Sequence, residues 1–168
     1  LSGWDVSNAT GFGSDGYCQR MFEGCSALQS LDLSGWDVSS ATYLPDMFYG
    51  CSSLTSLDLS GWDVSNVKRF GSSGYGSHGM FEGCSALQSL DLSGWDVSSA
   101  TDLHDMFYGC SALQSLDLSG WDVSSATDLH GMFSGCSALQ SLDLSGWDVS
   151  NATGFGSDGY CQRMFEGC

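Results

Sequence analysis

The chain has 168 residues, with 20 acidic side chains against four basic ones and a formal net charge of −16. Such a field repels nucleic acid and anionic membrane surfaces, and no run of about 18 apolar residues offers a membrane-inserted span. Hydrophobic residues make up 42% and charged ones only 14%, so a buried core is expected rather than disorder.

From Leu1 onward the chain repeats itself. The block LSGWDVS begins at Leu1, Leu33, Leu59, Leu92, Leu118 and Leu144, in steps of 32, 26, 33, 26 and 26 residues. A period of this size predicts a solenoid, in which each repeat buries its apolar face on the next. Residues 1–168 therefore read as one continuous solenoid of about six coils. Residues 1–25 recur in full at 144–168. The expectation is a window onto a longer array with a super-repeat of 143 residues.

The coils starting at Leu1, Leu59 and Leu144 carry inserts; the other three are short. The inserts read GFGSDGYCQR at 11–20 and 154–163, and RFGSSGYGSHG at 69–79. Their Gly and Ser content predicts loops projecting from one face. Phe12, Tyr17, Phe70, Tyr75 and Tyr160 are candidate partner contacts on those loops. The phenylalanines are expected to fold inward, where Leu103 and Leu129 sit in short coils, and the tyrosines to face outward. Gly11, Gly13 and Gly16 match GxGxxG, but no βαβ unit surrounds them, so no nucleotide site is read there.

The short coil from Cys110 to Phe133 shows the elements in order. Leu113, Leu116, Leu118, Trp121 and Val123 follow leucine-rich-repeat spacing, with Trp at the usual Asn position. Leu116-Asp117-Leu118 alternates in and out and predicts a short strand. Ser119-Gly120 turns the chain. Ser125 and Asp128 resemble a capping box, which predicts a helical or 3₁₀ turn from Ala126. Met132 and Phe133 bury the return segment, and Gly135 turns it into the next coil. The expected fold is an α/β repeat: a right-handed leucine-rich-repeat-like solenoid. A parallel β-sheet covers one face, and short helical or irregular segments return the chain. Core ladders follow: Trp36, Trp62, Trp95 and Trp121 in one column, Phe48, Phe81, Phe107 and Phe133 in another.

The motif LDLSGWDVSSATDLHDMFYGCSAL at 90–113 resembles the BspA-type leucine-rich repeats of bacterial and protist surface proteins. The clusters LxLSxWDxS and MFxGCxxL carry the resemblance across nearly the whole chain. It implies an extracellular, non-enzymatic surface protein tied to adhesion or matrix binding, with no catalytic residues to transfer.

Several columns bear chemistry. Asp32, Asp58, Asp91, Asp117 and Asp143 face outward from successive strands, where like charges repel unless serine hydroxyls, solvent or a cation offset them. Calcium is the candidate ion for this column. His78, His104 and His130 sit two residues before the Met of three consecutive coils. They read as a solvated row that a transition metal could bridge. The column cysteines read as small hydrophobes, while Cys18 and Cys161, found only in inserts, are candidates for disulfides with Cys25 and Cys168. Asn8-Ala9-Thr10 and Asn151-Ala152-Thr153 are glycosylation sequons.

No nucleophile–base pair recurs, so the sequence reads as non-enzymatic. The leading expectation is a structural repeat protein of an extracellular filament or cell-surface stalk, self-associating end to end or laterally. The alternative is an adhesin that binds glycans or matrix proteins through the acidic concave face or the insert aromatics. Ice binding by Ser-rich columns is a weaker alternative.

Overall fold

In the computed structural model of the protein, residues 20–72, 78–153 and 163–168 are described. Four three-residue strands form where Ser-Leu-Asp recurs: β1 Ser56–Asp58, β2 Ser89–Asp91, β3 Ser115–Asp117 and β4 Ser141–Asp143. The central leucine points inward and its neighbours outward, as the two-residue strand period requires. β1 pairs with β2 and β3 with β4, both parallel. The register sets like over like: Leu57 on Leu90, and Leu116 on Leu142. β2 and β3 also lie side by side. The equivalent stretch around Asp32 is not a strand, although Thr55 N still donates to Gln29 O (3.2 Å).

The return segments differ from the expected helical turn. The described residues contain almost no helix. In place of a capping box, the Asp128 carboxylate turns forward and accepts from His130 N at 2.9 Å. Asp102 does the same for His104 N at 3.2 Å. Both are short-range Asp-to-backbone bonds that compete with helix formation. The freed backbone pairs between repeats instead. Single-residue parallel bridges link Tyr43 to Arg69, Arg69 to Asp102, and Asp102 to Asp128.

A further ladder follows each Met-Phe pair. The N–H of Phe22, Phe48, Phe81, Phe107 and Phe133 donates to the Met carbonyl of the next repeat at 2.9–3.1 Å. Two residues on, Gly24, Gly50, Gly83, Gly109, Gly135 and Gly167 hold φ between 67° and 78°. A Cβ on any of the last five would lie 3.4–3.8 Å from the α-carbon of the glycine one repeat back. Those distances are ordinary van der Waals contact; the left-handed backbone is what reserves this column for glycine.

The core lies between these ladders. Phe22, Phe48, Phe81, Phe107, Phe133 and Phe165 form one uninterrupted stack, with centroids 5.5–5.7 Å apart and planes within 9°. Trp36 stacks on Trp62 at 6.5 Å, and Trp95 on Trp121 at 6.3 Å. The result is a β-rich repeat fold in which equivalent side chains lie over one another. Phe70 belongs to this core rather than to a partner surface. It is fully buried and stacks on Trp95 at 5.3 Å. The bridges place it in the column of Leu44, Leu103 and Leu129, so an aromatic ring fills a leucine position. No helix among the described residues is long and apolar enough to cross a membrane.

Candidate functional site

The strand face and the equivalent position at Asp32 present the first acidic row. Oδ1 of Asp32, Asp58, Asp91, Asp117 and Asp143 accepts the N–H of the serine two residues on, at 2.8–3.1 Å. For Asp32, Asp58 and Asp117 the same oxygen also accepts the serine hydroxyl at 2.7–2.8 Å. These bonds hold the carboxyls of Asp32, Asp91, Asp117 and Asp143 below the usual range because they favour the ionised form. These four are therefore anionic at neutral pH, and each member of the row brings its own serine donor. A groove of about 430 Å³ runs along it, lined by Ser56, Asp58, Ser89, Asp91, Ser115 and Asp117. A second exposed row, Asp37, Asp63, Asp96, Asp122 and Asp148, makes the equivalent bond to Ser39, Ser65, Ser98, Ser124 and Ser150 at 2.9–3.1 Å.

The histidines do not form one solvated row. His104 is only 7% exposed, and its ring lies over Gly71, where a Cβ would come within 2.4 Å of the imidazole. Its Nδ1 pairs with Asp102 Oδ1 at 2.6 Å, while Arg69 Nε and Nη2 donate to Asp102 Oδ2 at 3.2 and 3.0 Å. Burial pushes the His104 imidazole down, but the Asp102 hydrogen bond and the charges of Asp102, Asp128 and Asp105 outweigh it and leave it raised. His78 is half-buried; it stacks on Tyr49 at 3.8 Å and meets Glu82 Oε1 at 3.0 Å. His130 is half-buried in the next repeat. Among the described residues, donor atoms of Asp102, His104 and Asp128 lie within 4.8 Å of one another, close enough to share a metal ion. In this structure the Arg69 guanidinium already neutralises Asp102.

Neighbouring acids show the cost of burial. Asp46 is buried and adopts φ 55°. Desolvation raises its pKa against the opposing pull of Ser72 and of Arg20, whose Nε lies 3.3 Å away. Asp105, at the same position two coils on, has φ 51° and is likewise raised by desolvation.

The thiols of Cys51, Cys84, Cys110 and Cys136 are buried, and each donates to a Phe carbonyl one repeat back at 3.1–3.3 Å. Burial pushes Cys51 up to about 11 and Cys136 to about 12. Cys25 and Cys168 are exposed and form no disulfide among the described residues. Their candidate partners, Cys18 and Cys161, lie outside the described residues, as do Asn8, Phe12, Tyr17, Tyr75 and Tyr160. Asn151 is exposed, with its side-chain amide on Ser124 O at 2.7 Å. The 69–79 insert is closed at its root. Gly71 and Gly79 form an antiparallel bridge, Ser72 N donates to His78 O at 2.9 Å, and Glu82 Oε2 accepts Gly79 N at 3.0 Å.

Sequence reasoning missed the Arg69–Asp102–His104 constellation because Arg69 comes from the repeat before the one that holds Asp102 and His104. The signal was available: Asp-Leu-His occurs at both 102–104 and 128–130.

The chain matches the family described as "Mycoplasma protein of unknown function, DUF285" over residues 1–77 and again over 75–168, and it belongs to that family. No curated protein and no solved structure matches it.

Proposed function

We propose that this DUF285 member is a right-handed solenoid of the BspA-like leucine-rich-repeat type. Its role is structural: a stiff segment of an extracellular filament or cell-surface stalk that self-associates end to end or laterally. The observation that carries this reading is the phenylalanine stack. It runs from Phe22 to Phe165 with nearly constant spacing, through short and insert-bearing coils alike. Repeats that couple only to their neighbours through such a column extend in one dimension, and their stiffness grows from shared side-chain and backbone ladders. Negative-stain microscopy of the purified chain across a concentration series tests it. Filaments or end-to-end rods support the structural role; compact monodisperse particles at every concentration refute it.

A second reading rests on the acidic strand face. A groove lined by ionised aspartates and serines suits a cationic or hydroxyl-rich partner such as a matrix protein, a glycan or calcium. Binding on a glycan and matrix-protein array that disappears in Asp91→Asn/Asp117→Asn would favour adhesion over a purely structural role. An unchanged binding profile would remove it.

A further inference from the structure

We infer that Asn66 anchors the insert of its coil at 69–79, and that the sequon at Asn151 is a by-product of two structural ladders. Asn8, Asn66 and Asn151 stand at one position of the repeat, and each belongs to a coil with an insert; the short coils carry Ser40, Ser99 and Ser125 there. The side-chain amide of Asn66 donates to Ser39 O at 2.9 Å, and that of Asn151 to Ser124 O at 2.7 Å. Both bonds reach back one repeat, to the same backbone atom of the repeating unit. A serine hydroxyl is shorter than the asparagine amide and carries a single donor.

The threonine of the sequon has its own reason to be present. Thr101, Thr127 and Thr153 each donate Oγ1 to a carbonyl one repeat back, at 3.0–3.2 Å. Two of these sit in short coils that have no sequon. Asn66 separates the two ladders. It is followed by Val67-Lys68 and is no glycosylation signal, yet it makes the same bond as Asn151. The amide bond therefore tracks the insert and not the sequon.

The physical need is local. Short coils close directly from the bridge residue to Met through a left-handed residue, Asp46, Asp105 or Gly131. In the coil from Leu59 the insert separates Phe70 from Met80, so that tight closure is absent. The chain is pinned on both flanks instead. Asn66 holds the side that leads into the loop, and Glu82 holds the exit through Gly79 N and His78.

Hydrogen exchange on the full chain, with Asn66→Asp and Asn66→Ser, tests this. Neither side chain can donate an amide to Ser39 O at neutral pH. Amides at 69–72 and 78–80 should exchange about fivefold faster or more in both variants, the weight of one neutral hydrogen bond. Amides at 87–92 should stay as in the parent. In the parent, the Asn66 side-chain nitrogen should also show a through-bond scalar coupling to the Ser39 carbonyl carbon. Unchanged exchange at the insert root, equal acceleration across the coil, or absence of that coupling would overturn the anchor.

Discussion

Phe107→Ala is the sharpest perturbation of the stack. The ring is fully buried and faces Phe81 and Phe133, each at 5.7 Å. Removing it forfeits burial of about 1.5–3 kcal/mol and two ring contacts of about 0.5–1.5 kcal/mol each, and leaves a cavity. The total is about 3–5 kcal/mol, the range of Phe-to-Ala changes in cores. Stability of a domain this size is about 5–15 kcal/mol, so the loss is a large fraction. Phe165→Ala is the matched comparison. It deletes the same side chain from the same column, where Phe165 is 50% exposed and stacks on Phe133. Its cost should stay below about 2 kcal/mol. Urea unfolding followed by tryptophan fluorescence gives both numbers, and with a slope of about 1–3 kcal/mol per molar the two midpoints separate clearly. Equal costs at the two positions would refute the reasoning, because exposure and two-sided stacking would then carry no weight.

Other consequences follow from the buried polar groups. Iodoacetamide at pH 8 should spare Cys51, Cys84, Cys110 and Cys136 in the native protein and label them after unfolding; mapping by mass spectrometry checks this, and labelling of Cys110 before unfolding would contradict the packing. The His104 imidazole is raised above its ordinary value near 6.5, so its contribution to stability is fully present below pH 6.5 and is lost as pH rises through the folded value. His104→Gln should therefore flatten the fall in Tm on the alkaline side of pH 6.5, read by thermal scans, and an unchanged slope would remove the Asp102 pair as its cause. Asp46→Asn should raise Tm at pH 7, since it removes a desolvated charge at a left-handed position that asparagine tolerates. That gain should shrink as pH falls and Asp46 protonates; a loss of stability at pH 7 would mean that Arg20 outweighs desolvation.

The columns were legible because a repeat converts composition into position. Once the LSGWDVS blocks are aligned, Trp95 must face Trp121, and Leu57, Leu90 and Leu116 must share the inward side of their strands. Phe70 was legible on the same ground, through its alignment with Leu103, despite its place at the edge of an insert. The return segments were not. Ser125 and Asp128 have capping-box spacing, but that spacing does not say whether the carboxylate reaches back to Ser125 or forward to His130. The forward bond wins where a bridge to the neighbouring repeat is available to the backbone. The burial of His104 depends on Gly71, which lies 33 residues earlier and makes room only when the coils are in register. The left-handed backbone of Asp46 and Asp105 becomes visible only beside Gly131, the same position filled by the residue that prefers it.

Selective aromatic labelling and nuclear Overhauser spectroscopy read the stacking of equivalent residues most directly. Cross-peaks should join Phe81 to Phe107, Phe107 to Phe133, and Trp95 to Trp121, with none between Phe81 and Phe133. Cross-peaks that skip a repeat, or the absence of any between Trp95 and Trp121, would contradict it.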